Sequence, residues 1–364
     1  MEDKTGKHTV LVVDDTPENI DVLNGLLSLD YKVKVAINGE KALKIADSKN
    51  PPDIILLDIM MPGIDGYKVC EELKNKETTK DIPIIFLTGL TDEQNESKGL
   101  HLGAVDYITK PFSPELVKVR VRNHLALKLH RDHLEELVRE RTRELALTQE
   151  VTIESMGTLA EYRDPETGGH IKRTQNYIKV LSNHLKKHPK FADFLNSSTI
   201  ELFYKSTPLH DIGKVGVPDN ILRKPGKLTS EEFEIMKKHT VYGRNTLLIA
   251  EKRLGRYSFL NIAGEIAYTH HEKWDGSGYP CALKGEDIPL SGRLMAIADV
   301  YDALISKRVY KPPFPYEEAV RIITEGRGSH FDPDIVEAFL QIKETFREIA
   351  FEFADFEEER LALK

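Results

Sequence analysis

Over roughly the first 120 residues, short apolar runs alternate with stretches whose apolar residues recur at helical spacing. The runs are Val10–Val13, Val33–Ile37, Ile54–Leu57, Ile84–Leu87 and Val105–Ile108. Each is continuous rather than alternating, the pattern of strands covered on both faces, so the segment reads as a five-stranded parallel sheet with five helices. Thr16-Pro17 offers an N-cap and first helical position after the first run, and Asn38-Gly39 breaks the chain after the second. From Ser113 towards Met156 the pattern becomes one long charged helix with Pro114 near its start and no glycine. Its centre, KLHRDHLEELVRERTRE, mixes both signs of charge, and Leu134, Val138, Leu145 and Val151 recur at near-heptad spacing. That stretch reads as a short coiled coil or a solvated linker helix. Beyond about Ser155 the apolar spacing is helical with no strand runs, which predicts a mostly α-helical second domain with a glycine-rich loop at Trp274–Pro280.

Composition narrows the class. At about 150 residues per domain, 364 residues predict two or three domains. With 40% hydrophobic and 30% charged residues the chain is of ordinary globular type, not collagen-like, disordered or membrane-embedded. No stretch approaches the roughly 18 apolar residues of a bilayer span. The start, MEDKTGKHTVLVVDD, carries charges where a signal peptide needs an apolar run, so a cytoplasmic protein without membrane contact is expected. Cys70 and Cys281 are far apart and lack CxxC spacing, so both read as buried small apolar residues rather than a disulfide or thiolate site. A formal charge of −8 disfavours nucleic-acid polymers as partners. The 13 histidines remain to be explained.

In a parallel α/β sheet, ligands bind outside the carboxyl ends of the strands. Asp14 and Asp15 close the first run, Asp58 the third and Thr88 the fourth, and Lys110 follows the fifth. Three carboxylates at one edge repel one another unless a hard cation such as Mg²⁺ sits among them. With Lys110 and Thr88 alongside, one carboxylate becomes a phosphoryl acceptor. On these residues the amino-terminal part, residues 8–125, resembles a response-regulator receiver domain of flavodoxin-like fold. The resemblance implies Asp14 and Asp15 as acidic pocket, Asp58 as phosphoacceptor, Thr88 as switch hydroxyl, Tyr107 as switch aromatic and a cis bond from Lys110 to Pro111. It also implies a cognate histidine kinase.

The second half holds DPETGGH (164–170), HDIGK (210–214), His239, HHEKWDGSGYP (270–280) and IADVYDAL (297–304). Glu166 and His170, four apart, share one face of a helix. His210-Asp211 and His270-His271 offer adjacent ligands. Imidazole and carboxylate without thiolate suit Fe, Mn, Zn or Ni, and so many ligands exceed the needs of one ion. Two ions bridged by hydroxide are a standard means of cleaving a phosphate ester. His184, His188 and His330 read as structural, the last because Asp332-Pro333 is a helix start.

In this order the segments resemble the HD-GYP branch of the HD-type phosphohydrolases, an all-α domain. The resemblance implies a phosphodiesterase for cyclic di-GMP, yielding pGpG and/or GMP, with two or three transition metals, iron or manganese foremost. Its implied ligands are Glu166, His170, His210, Asp211, His239, His270, His271 and Asp299, with Glu166 tied to a third ion. Lys214, expected on the same side of a helix as His210, assists the phosphate or leaving oxygen; Tyr279, Arg308 and Lys311 contact substrate. The expected division is a receiver at 1–125, a helical linker at 126–154, the hydrolase at 155–350 and a C-terminal tail at 351–364. Phosphorylation of Asp58 is expected to act through residues 113–156 on a homodimer or on access to the metals. Competing readings are a module that binds cyclic dinucleotide or recruits diguanylate cyclase (GGDEF) proteins, hydrolysis of another cyclic dinucleotide such as cyclic GMP-AMP, and a DNA-binding regulator, which the acidic balance opposes.

Overall fold

The structure, a computed structural model, describes residues 7–89, 93–161, 169–255, 257–307 and 312–364. It divides into two compact units, the second starting at Glu144.

The amino-terminal unit alternates β1 (Thr9–Val13), α1 (Pro17–Leu27), β2 (Lys32–Ala36), α2 (Gly39–Ala46), β3 (Ile54–Asp58), α3 (Gly66–Lys74), β4 (Ile84–Thr88), α4 (Glu93–His101) and β5 (Asp106–Thr109). The five strands are parallel in the order β2-β1-β3-β4-β5. One apolar layer, including Leu11, Val13, Leu57 and Phe86, packs on one face; another, including Val10, Val12, Leu56 and Ile85, packs on the other. Sheathing on both faces is why the central runs are unbroken apolar. Strand order reverses between β1 and β3, which opens a crevice where Val13 pairs with Leu57 and Asp58 with Leu87.

Some local expectations shift. Ile37 and Val105 lie outside β2 and β5 and are exposed, because the sheet-edge pairing ends at Ala36 and starts at Asp106. Asn38 caps α2 by accepting from the Lys41 N–H, so it starts a helix as well as ending the strand segment. Thr16 stands at the N-cap of α1, yet its hydroxyl caps nothing there; its own N–H goes to Asp14 Oδ1.

Helix α5 runs unbroken from Pro114 to Glu161. Val117 and Val121 join the amino-terminal core, whereas Leu134, Val138, Leu145 and Val151 are 59, 64, 70 and 52% exposed. Among the described residues no helix is long and apolar enough to cross a membrane.

The second unit is helical: α6 (Gly169–Leu185), α7 (Pro189–Ala192), α8 (Ser197–Ser206), α9 (Asp219–Leu222), α10 (Ser230–Leu254), α11 (Phe259–Thr269), α12 (Leu290–Ile305), α13 (Tyr316–Glu325), α14 (Pro333–Glu352) and α15 (Glu357–Ala362). Its core joins α6, α8, α11, α12, α13 and α14 around Tyr177, Tyr301, Phe339 and Phe346. Tyr177 stacks on Phe346 with ring centroids 4.5 Å apart. Asp332 caps α14 with Pro333 in its first turn, as expected. Residues 351–364 are not a loose tail: α15 brings Leu363 into the core, and buried Glu359 accepts the Lys307 N–H. Cys70 is buried, but Cys281 is exposed, in the loop between α11 and α12.

Candidate metal centre and phosphorylation site

At the crevice of the sheet, Lys110 Nζ lies 2.8 Å from Asp14 Oδ2 and 3.0 Å from Asp58 Oδ2. Asp14 is further held by the Asn19 amide at 3.0 Å. Ligand oxygens of Asp14, Asp15 and Asp58 are close enough to share one ion. Burial, and then the Asp14 charge, push the Asp58 carboxyl up against the pull of Lys110. Lys110 is held above its ordinary value: burial opposes, and hydrogen bonds to Asp14 and Asp58 prevail. Thr88 is buried at the end of β4, and the Lys110–Pro111 bond is cis. Sequence-distant carboxylates and a lysine therefore meet at the strand ends.

In the second unit, His170 opens α6 and His210-Asp211 fall between two 3₁₀ turns, Thr207–Leu209 and Ile212–Gly216. This is not the helix expected there, and Lys214 is turned towards Asp211 rather than aligned with His210. Its Nζ lies 2.7 Å from Asp211 Oδ2. Gly213 explains part of the HDIGK spacing: a β-carbon there would lie 1.9 Å from the His239 carbonyl oxygen, so only glycine lets this turn press against α10.

Three histidines are oriented in the same way. Nδ1 of His210 bonds to the Thr207 carbonyl at 3.0 Å, that of His239 to Met236 at 2.7 Å and that of His270 to Ile266 at 3.0 Å. A proton donated from Nδ1 leaves Nε2 with its lone pair directed inward. Asp211 Oδ1 stands 3.3 Å from His239 Nε2 and 3.6 Å from His270 Nε2. These three buried atoms have no hydrogen-bond partner. Lone pairs buried face to face repel and are costly to desolvate, and a cation is what satisfies them all. With His271 they form one possible ligand group; Glu161, His170 and His210 form a second. His210 and Asp211, adjacent in sequence, thus fall one in each group.

The second group has its own support. His170 Nε2 is 3.3 Å from His210 Nε2, 3.7 Å from Glu161 Oε1 and 3.9 Å from Asp299 Oδ1. Its Nδ1 is 2.8 Å from Asp302 Oδ2, and Arg173 donates to both oxygens of Asp302 at 2.6 and 2.9 Å. Burial opposes ionisation of Asp302, but Arg173 overcomes it and holds the carboxyl well below the carboxylate range. Burial likewise opposes the charge on Asp211, and Lys214 foremost overrides it. His239 is pushed down to about 4 by burial, which the Asp211 charge only partly offsets. His271 is pushed well down by burial and by His270. Neutral imidazoles facing an ionised carboxylate are the ligand forms a transition metal takes.

Tyr279 stands over the cluster, its ring centroid 4.8 Å from that of His271. The Tyr279 N–H donates to the His271 carbonyl at 3.2 Å, and the Tyr279–Pro280 bond is cis. Buried Glu272 clasps the far side of this loop, accepting from the Cys281 N–H at 2.7 Å and the Leu283 N–H at 3.0 Å. Of the expected site residues, Glu166, Arg308 and Lys311 lie outside the described residues. His184 bonds to Gln341, His188 caps α7 and His330 stacks on Phe331. Sequence reasoning missed Glu161, Asp302 and Glu272. A signal existed for Asp302, three residues after Asp299 in the same helix, and for Glu272, adjacent to the histidine pair.

A doubly wound sheet bearing an acidic pocket, followed by a helical unit bearing clustered histidines and carboxylates, defines a response regulator with a metal-dependent HD-type hydrolase unit. The chain matches the response regulator receiver domain family over residues 10–122 and the HD domain family over residues 154–335. It belongs to the HD-domain response regulators. It is 50% identical over 357 residues to a probable cyclic di-GMP phosphodiesterase of Vibrio cholerae, covering 96% of this chain and 81% of that protein. A cyclic di-GMP phosphodiesterase of Thermotoga maritima is 36% identical, with 94% of this chain and 92% of that protein covered. A 3'3'-cGAMP-specific phosphodiesterase of Vibrio cholerae is 37% identical, with 76% of this chain and 49% of that protein covered.

Proposed function

We propose that the chain is a metal-dependent phosphodiesterase that hydrolyses cyclic di-GMP to pGpG and/or GMP under the control of phosphorylation at Asp58. The observation that carries the chemistry is the convergence of Asp211 Oδ1, His239 Nε2 and His270 Nε2 without hydrogen-bond partners. The substrate is supported by the likeness to named cyclic di-GMP phosphodiesterases along almost the whole chain. In this reading His170, His210, Asp211, His239, His270, His271 and Asp299, with Glu166, hold two or three ions, iron or manganese being suited to the donor set. Bound there, such ions supply Lewis acidity that activates water and neutralises charge on the scissile phosphate.

The protein's own groups do the rest. Asp302 and Arg173 keep the His170 ring in one tautomer and orientation. Lys214 holds Asp211 ionised and adds a positive charge beside the phosphate. Tyr279 offers a ring for a guanine, and Arg308 and Lys311 are assigned to substrate by family resemblance. In the receiver, Asp58 accepts a phosphoryl group from a histidine kinase, with Mg²⁺ held by Asp14 and Asp15 and with Lys110 and Thr88 contacting the acceptor. Residues 1–125 then sense, 126–154 connect and 155–350 hydrolyse. The exposed leucines and valines of α5 suit a homodimer seam.

His210→Ala with Asp211→Ala should abolish product from cyclic di-GMP in metal-replete protein; turnover at the wild-type rate would refute the mechanism. The cGAMP-specific relative favours a second reading, tested by offering both dinucleotides in competition and comparing kcat/KM. Equal turnover by wild type and Asp58→Asn after treatment with a small phosphoryl donor would refute control at Asp58.

A further inference from the structure

The last turns of α5 press against the HD segment along one stripe. Ile153, Gly157 and Glu161 are spaced four apart and so share a helix face. Ile153 is buried with Leu209, Leu247, Ala263 and Ala267. At Gly157 the approach is closer: a β-carbon would lie 2.4 Å from the Pro208 carbonyl oxygen and 2.9 Å from Ile171. Pro208 is two residues before His210, and Ile171 directly follows His170. Glu154 adds an ion pair to Lys172 of α6. One turn beyond Gly157, the carboxylate of Glu161 is 2% exposed and lies 3.7 Å from His170 Nε2.

We infer that Glu161 is a carboxylate ligand of the ion shared by His170 and His210, and that Gly157 is the positioning residue that lets α5 close far enough to deliver it. A ligand carried on a helix terminus binds only when that helix is seated. By linkage, the ion in turn stabilises the seat. The helix concerned is the one whose first turns bury Val117 and Val121 in the receiver core. The inference rests on reading the cluster as a metal centre, and it goes beyond the ligand set implied by family resemblance.

The test uses the full chain. Metal per chain is counted by plasma mass spectrometry in metal-replete wild type, Glu161→Gln and Gly157→Ala. Hydrogen exchange of residues 150–161 is followed with and without chelator. Glu161→Gln, which removes the charge at nearly constant volume, should hold one ion fewer than wild type. Gly157→Ala should need about tenfold more free metal to fill the same site, the usual scale for a lost supporting group. Chelation should release protection in the last turns of α5 of the wild type and have no such effect in Glu161→Gln. Wild-type metal content together with a wild-type chelator response in Glu161→Gln would overturn the inference while leaving the metal centre intact. A wild-type chain that retains no metal would overturn both readings. Should Gly157→Ala fail to fold, Glu161→Gln alone decides.

Discussion

Asp302→Asn is a sharp probe of what holds the centre together. Asp302 and Arg173 are each 1% exposed, and every group facing the carboxylate is a donor: Arg173 Nε on Oδ1, and Arg173 Nη2, His170 Nδ1 and the Ser306 hydroxyl on Oδ2. An amide is the same shape, but either of its two orientations turns an NH₂ towards a donor. It also leaves a buried guanidinium without its main counter-charge, a loss that costs about 3–5 kcal/mol. Arg173 keeps Asp355 at 3.0 Å and the Phe353 carbonyl at 2.8 Å, which points to the lower end, about 3 kcal/mol. For a unit of this size that is a fall of roughly 6–12 °C in Tm. The substitution also allows His170 to take the other tautomer, with Nε2 protonated, which should weaken its metal about 10–100-fold. The assays are thermal unfolding of metal-free protein by circular dichroism and a competitive metal titration. Metal-free Asp302→Asn melting within about 2 °C of wild type, a shift worth under roughly 1 kcal/mol, would refute the argument.

Two further outcomes follow from other contacts. Glu272→Ala strands the Cys281 and Leu283 N–H groups, so the Tyr279 loop should loosen, raising KM for the dinucleotide several-fold while metal content stays at the wild-type level; unchanged KM would dissociate Glu272 from the loop. His330 is pushed down to about 4, by burial first and then by Lys273. Its unfolded value is near 6.5, so the unfolded chain takes up the proton first. Stability is then full above about pH 6.5 and declines as pH falls towards 4, by at most about 3 kcal/mol. Urea unfolding at pH 7.5 and 5 should show a larger loss for wild type than for His330→Gln, and equal losses would show that this histidine does not contribute.

The chain's own pattern determined a great deal. Unbroken apolar runs follow from strands covered on both faces, and acids at their ends mark the crevice of a parallel sheet, so the sheet and Asp14, Asp58 and Lys110 were readable directly. The second site was readable as a set of candidate ligands, because the adjacent pairs His210-Asp211 and His270-His271 each present two donors at once. Tertiary structure alone decided the partners. His170 meets Asp302 across 132 positions of sequence, a pairing that no local spacing encodes. Lys214 turned to Asp211 because the HD segment is 3₁₀ rather than α, a choice tied to Gly213 pressing on His239. Glu161 looks like any surface acid of a charged helix until Gly157 lets that helix close on Pro208. Spacing along the chain specifies which groups share a face of one element, while the function of a buried charge is set by what other elements bring against that face.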